Sequence, residues 1–203
     1  MNNISEYIAS GIIESYVLGL ATPDEIKEVE NMSANHPEIR EAIVRFSETV
    51  EQQSMANAIA PDPIIKPMVM ATVDFIGRME KGETPSFPPV LNEQSTVADY
   101  AEWLERDDMM LTADFDNIYA KIIGFTPETT TVIVWIKEIA PQEVHNDEYE
   151  KFLIVEGTCN IIIEEKVYSL VPGDYLAIPL HKKHFVEVTS NVCCKAIMQR
   201  VAA

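Results

Sequence analysis

Positive charge is scarce in this sequence. Fifteen lysines and arginines stand against 33 aspartates and glutamates in 203 residues, for a formal net charge of −18. The deficit is spread along the chain, since residues 1–80 carry 13 acids against 5 bases and residues 100–203 carry 17 against 9. A field of that sign repels phosphate backbones and anionic lipid, which argues against direct nucleic-acid or membrane binding. It suits solubility, or docking to a basic protein. Cysteine is scarce too: Cys159, Cys193 and Cys194 show no CxxC spacing, and the vicinal pair makes a poor disulfide. No run of about 18 uncharged apolar residues occurs, so no membrane helix is expected. The opening MNNISEYIASG lacks the basic and apolar regions of a signal peptide. These absences together point to a reducing cytoplasm. Also missing are a G-x-S-x-G elbow, a phosphate loop, a repeat of solenoid period and any low-complexity tract.

What is present falls into two textures. Residues 1–80 read as helix. Ile8, Ile12, Ile13, Tyr16, Val17 and Leu20 recur at helical spacing. Thr22-Pro23-Asp24-Glu25 reads as a helix start with a capping box, and that helix should stop before His36-Pro37. A third helix is expected from about Pro37 to Ala58, with Ile39, Ala42 or Ile43, Phe46 and Val50 as its stripe, and a fourth from Met68 to Met79 bearing Val69, Val73 and Ile76. The proline-rich stretch around Gly82–Val90 describes an extended linker. One amphipathic helix is expected over Thr96–Glu105, and strands follow at Ile118–Phe125, Thr129–Ile139, Phe152–Val155, Cys159–Glu164, Val167–Leu170, Tyr175–Ile178, His184–Val188 and Cys193–Val201. Strands so short and closely spaced indicate an antiparallel sandwich or barrel. Cys193 and Cys194 should point to opposite faces of the last strand; burial as small apolar residues and thiol sensing of an oxidant are the two roles open to the cysteines.

The chemistry-bearing residues sit in two stretches, Glu143–Gly157 and Val171–His184. Glu143 and His145, two apart on a strand, leave the same face. If the two stretches face one another across a barrel, Glu143, His145, Glu150 and His184 converge. Two imidazoles and carboxylate oxygen suit Zn, Mn, Fe(II), Ni or Cu(II).

These stretches resemble the paired cupin motifs, H-x-H-x(3,4)-E-x6-G and G-x5-P-x-G-x2-H. Glu150 to Gly157 keeps one interval, Gly173 to Pro179 a second and Pro179 to His184 a third. The resemblance implies that His145, Glu150 and His184 are three of four metal ligands, with Glu143 at the first histidine's position. The sequence departs from the motif in placing Glu rather than His there, in Lys137 near the expected glycine, and in His181 at a second glycine position. Asp147 is a rival for Glu143, and cupins without metal are an alternative.

Ser10–Glu25 with Val29-Glu30 resembles the opening of anti-sigma domains of the RskA and ChrR kind. Those continue into a histidine and two cysteines that bind zinc; here Met32, His36 and Ile39 occupy the ligand positions. One histidine cannot hold a structural zinc, so the head is expected to be zinc-free. The order of parts also resembles ChrR-like anti-sigma factors. It implies an all-α head at 1–80, a linker at 81–99 and an all-β cupin at 100–203, a double-stranded β-helix or jelly roll. The implied partner is an extracytoplasmic-function (ECF-type) sigma factor, bound by the head, with the cupin sensing a metal (Zn, Mn, Fe or Ni), a small ligand or an oxidant. A metal-dependent dioxygenase or isomerase and a metal-free binding module are the alternatives. Pairing of two copies through strand edges is a further expectation.

Overall fold

The computed structural model describes residues 4–111 and 114–203. It divides into two compact units, residues 1–60 and 61–203. That boundary lies earlier in the chain than the end expected for the head at residue 80.

Among the described residues the first unit holds four helices: α1 (Ile4–Ile8), α2 (Ile12–Val17), α3 (Pro23–Asn35) and α4 (Pro37–Ala56). The single helix expected over Ile8–Leu20 is broken because Gly11 takes φ +87, a left-handed conformation that glycine adopts without steric cost. At the start of α3 the capping box forms as expected. Glu25 Oε2 accepts the Thr22 N–H at 2.7 Å, and Thr22 Oγ1 accepts the Glu25 N–H at 3.4 Å. His36 is extended ahead of Pro37 and separates α3 from α4. Ile13, Val29, Ile39 and Ala42 are the buried centre of this unit, while Leu18 and Leu20 are 51 % and 75 % exposed.

The second unit is a barrel with nine strands among the described residues: β1 (Ile118–Phe125), β2 (Thr129–Ile136), β3 (Ile139–Glu143), β4 (Glu148–Glu156), β5 (Cys159–Ile163), β6 (Lys166–Leu170), β7 (Tyr175–Ile178), β8 (His184–Val188) and β9 (Cys194–Ala202). They form a five-stranded sheet, β1-β2-β9-β4-β7, and a four-stranded sheet, β3-β8-β5-β6, with antiparallel pairing throughout. The strand expected over Thr129–Ile139 is two strands, since the chain leaves the sheet at Lys137-Glu138 and crosses to the other. Side chains alternate across each strand. Val132, Val134 and Ile136 on β2, and Cys194, Ala196 and Met198 on β9, point into the barrel against Cys159, Ile161 and Ile163. Cys159 and Cys194 are both buried in the barrel core, and Cys193 is half-buried.

The outer face of the five-stranded sheet is covered as well. Ile123, Ile133, Trp135, Leu153 and Ile197 lie beneath Leu91, Tyr100, Trp103 and Met109. Burial on both faces is why β2 reads Val-Ile-Val-Trp-Ile without a polar break. The stretch expected as a linker is therefore a strap. It stays extended, since its prolines donate no hydrogen bond, but it is fastened. Tyr100 Oη and Gln199 Nε2 both donate to the Pro89 carbonyl, at 2.7 and 2.8 Å. Trp103 Nε1 donates to Ser86 Oγ at 2.8 Å, and Ser86 Oγ donates to the Ile123 carbonyl at 3.0 Å. The helix expected over Thr96–Glu105 is a 3₁₀ turn, Val97–Tyr100, followed by one α-turn, α6 (Ala101–Leu104).

Helix α5 (Ile65–Glu80) belongs to this unit because its inner face completes the barrel. Ala71 is buried in the barrel core, with Met68 and Phe75 packed against it. It packs on β1, an edge of the five-stranded sheet, where Arg78 Nη2 donates to the Ile122 carbonyl. Among the described residues no helix is long and apolar enough to cross a membrane.

Candidate metal centre

The inward series on three strands each end in a polar residue at the same end of the barrel. On β4 the series is Ile154, Phe152, Glu150; on β8 it is Val186, His184; on β9 it is Met198, Arg200. Glu150 stands directly across from Arg200 in the β4–β9 pairing, and Glu143 across from His184 in the β3–β8 pairing. Two cross-strand pairs, one from each sheet, thus face each other over the barrel interior.

His145 joins them from a turn. β3 ends on Glu143 and β4 begins at Glu148, so Glu143 and His145 do not share a strand as expected. The turn is clipped to the one before β8: the His181 N–H donates to the His145 carbonyl at 2.8 Å, and His181 Nδ1 lies 3.1 Å from Asn146 Oδ1. His181 holds φ +61 in doing so, at a position where the family motif has glycine.

Glu150 is the hub. Its Oε2 lies 2.9 Å from His184 Nε2 and 3.5 Å from His145 Nε2, and its Oε1 accepts from Arg200 Nε at 3.1 Å. Burial works against its charge, but the two imidazoles and Arg200 prevail and hold the carboxyl well below the usual carboxylate range. Burial likewise lowers His184, yet the bond to Glu150 and its charge lift the imidazole above its ordinary value. Burial and the Glu150 charge push Glu143 up, against the pull of Arg200, whose Nη2 donates to Glu143 Oε2 at 2.7 Å. Glu143 Oε2 is 3.5 Å from His145 Nε2.

A metal ion fits these donors. His145 Nε2 is buried and among the described residues makes no hydrogen bond, its nearest acceptors being the Glu143 and Glu150 Oε2 atoms at 3.5 Å, a cost that a ligated cation removes. His184 Nδ1 faces the Lys182 carbonyl at 3.2 Å and Nε2 faces the Glu150 carboxylate, so an acceptor stands on each side of the ring. A neutral imidazole satisfies one of them; a cation at Nε2 satisfies the other. One ligand atom each from His145, Glu150 and His184 lies within 4.8 Å of the others. Glu143 adjoins this group without being part of it, and Asp147 is exposed. Beside Glu143, Glu150 and His184 the interior leaves about 20 Å³, room for one water-sized occupant. Arg200 is the residue that motif spacing missed. Its signal was the inward phase of β9, where a charge continues the series Cys194, Ala196, Met198.

Residues 130–199 match the family model described as Cupin domain. The C-terminal unit carries a cupin domain. Solved structures similar to it include the cupin domain of Schizosaccharomyces pombe Cnp3, 9 % identical over 44 % of this chain and 67 % of that one, with a TM-score of 0.41. KdgF from a Halomonas species is 20 % identical over 47 % and 92 %, at 0.42. A protein from Thermotoga maritima described as a predicted oxalate decarboxylase is 13 % identical over 42 % and 81 %, at 0.40. No curated protein matches the chain.

Proposed function

We propose that this protein is an anti-sigma factor whose helical head binds an ECF-type sigma factor and whose cupin domain binds a divalent metal that biases that binding. The observation carrying the reading is a groove of about 230 Å³ on the head, walled by Ile8, Ile13, Ala42 and Phe46 and edged by Glu14, Arg45 and Thr49. On its wall the buried Glu14 Oε2 has no hydrogen-bond partner among the described residues. A groove of mixed lining with one unpaired carboxylate oxygen suits an amphipathic helix that brings one basic side chain beside its apolar anchor. Residues 1–60 carry ten acids against three bases, so the head attracts the basic, DNA-contacting faces of a sigma factor. The sequence resemblance of Ser10–Glu25 to ChrR-like heads supports the same partner.

In the barrel, His145, Glu150 and His184 would hold the metal, which supplies a charge and open coordination positions for a small ligand. A signal acts only through different affinity for the sigma-bound and sigma-free states. The test is capture from the native host's lysate with tagged full-length protein, read by mass spectrometry, alongside Glu14→Lys. Recovery of a sigma factor by the wild type and its loss with E14K at unchanged melting temperature support the proposal. Recovery of none, from protein holding near-stoichiometric iron or manganese, turns the reading to a metal-dependent cupin enzyme.

A further inference from the structure

We propose that Arg200 sets the ligand number and the affinity of the metal centre by keeping Glu143 out of the ligand set. The inference rests on the metal reading of the barrel and is independent of what the head binds. The guanidinium is a planar fork, and here it is divided between two carboxylates: Nε holds Glu150 Oε1 at 3.1 Å and Nη2 holds Glu143 Oε2 at 2.7 Å. The two contacts have opposite consequences. Glu150 is gripped by the oxygen that faces away from the histidines, so Oε2 stays aimed at His145 and His184. That contact positions a ligand. Glu143 is gripped by Oε2, the oxygen 3.5 Å from His145 Nε2. That contact removes a ligand.

Arg200 also supplies the charge that a metal would otherwise supply. Glu143 and Glu150 face it directly, and Glu148 Oε1 lies 3.5 Å from its Nε. With the guanidinium in place, a divalent ion meets three protein ligands and a fixed positive charge beside them. Without it, the ion meets four ligands, two of them carboxylates. The centre is thereby tuned weak and open rather than tight and closed.

The test uses chelator-stripped full-length protein titrated with Zn2+ by calorimetry, in the wild type, Arg200→Gln, Glu143→Gln and R200Q/E143Q. R200Q is expected to bind about tenfold or more tightly than the wild type, a change of the size outer ligand contacts produce. E143Q alone is expected to leave the affinity little changed, because Glu143 is not a ligand while Arg200 holds it. The gain in R200Q should vanish in the double variant. With Co2+ in place of Zn2+, the visible spectrum of R200Q should shift as a fourth ligand enters, and that of E143Q should match the wild type. Equal or weaker binding by R200Q overturns the proposal, as does a gain that survives E143Q. Large loss of affinity in E143Q alone overturns it even if R200Q does not fold. Should neither wild type nor R200Q bind Zn2+, the metal reading falls with it, while the capture of a sigma factor is unaffected.

Discussion

Gln199 and Arg200 are neighbours on β9 that serve opposite faces of one sheet. Arg200 points inward and joins Glu143 to Glu150. Gln199 points outward, fully buried, and fastens the strap: its Oε1 accepts the Leu91 N–H at 2.7 Å, while Nε2 donates to the Pro89 carbonyl at 2.8 Å and to Thr131 Oγ1 at 2.9 Å. One strand therefore holds the centre on its inner side and the covering segment on its outer side. Displacement of β9 would disturb both.

Replacing Gln199 by leucine keeps the volume and removes these bonds. The Leu91 N–H is then left without a partner in a dry interface and Thr131 Oγ1 loses its donor, while the Pro89 carbonyl keeps Tyr100, at a cost of about 1–3 kcal/mol for the unsatisfied group. Urea denaturation followed by tryptophan fluorescence should show the loss, since Trp103 and Trp135 both lie in the covered layer. A midpoint equal to the wild type's would mean that the strap is not fastened through Gln199.

Gly124 tests the same layer from the other side. A Cβ there would lie 2.3 Å from Pro88 Cδ and 3.1 Å from the Ser86 carbonyl, closer than atoms approach without something moving. Gly124→Ala should expel the strap near Pro88 rather than unfold the barrel, and limited proteolysis should cut faster between residues 82 and 91. At Gly173, with φ +95 and open space around the Cβ position, alanine brings backbone strain alone and should leave the strap protected.

The cupin barrel was legible in the sequence because its strands alternate and because three motif intervals survive around Glu150, Gly173, Pro179 and His184. The strap was not. Proline-rich composition reports that a segment is extended, and says nothing about whether the opposite surface is apolar. That information lay in β2, whose uninterrupted Val132–Ile136 run signals cover on both faces. Helix α5 departs from expectation twice: it belongs to the barrel rather than to the head, and its expected stripe, Val69, Val73 and Ile76, is about half exposed, whereas the face the barrel buries is Ala71 with Met68 and Phe75. In the centre, His145, Glu150 and His184 came together from spacing. Arg200 lies fifty residues beyond Glu150 and outside every motif, so only strand pairing brings it in.

Acid should loosen α5 through Glu83. Its carboxylate accepts from Arg106 Nη1 at 2.9 Å and from Arg78 Nη1 at 2.6 Å. The Arg106 bond leads and Arg78 adds to it, so the carboxyl stays below its ordinary value of 4.5 although burial opposes. A carboxyl depressed by folding binds its proton more readily in the unfolded chain. Its contribution is therefore full above pH 4.5 and is lost as pH falls through the lower folded value. Glu83→Gln should cost about 1–3 kcal/mol at pH 7, the usual worth of bonds to charged groups, and progressively less below pH 4. Urea midpoints at pH 7, 5 and 3.5 would show the two curves converging. Parallel curves would rule Glu83 out as the acid-sensitive group.

Glu150 joins stability to the metal reading. In chelator-treated protein it is the buried anion between two imidazoles and a guanidinium, and Glu150→Gln strands those groups among apolar walls. Breaking a buried charge cluster from one side costs about 3–5 kcal/mol, so the metal-free variant should melt well below the wild type. Adding Zn2+ separates this structural cost from ligation. An ion that binds only the folded state stabilises by about 2.7 kcal/mol at a hundred times its dissociation constant. The wild type should rise in melting temperature as Zn2+ is titrated, whereas E150Q, which has lost the central anionic donor, should stay flat. Equal shifts in both proteins would place the ion somewhere other than among His145, Glu150 and His184.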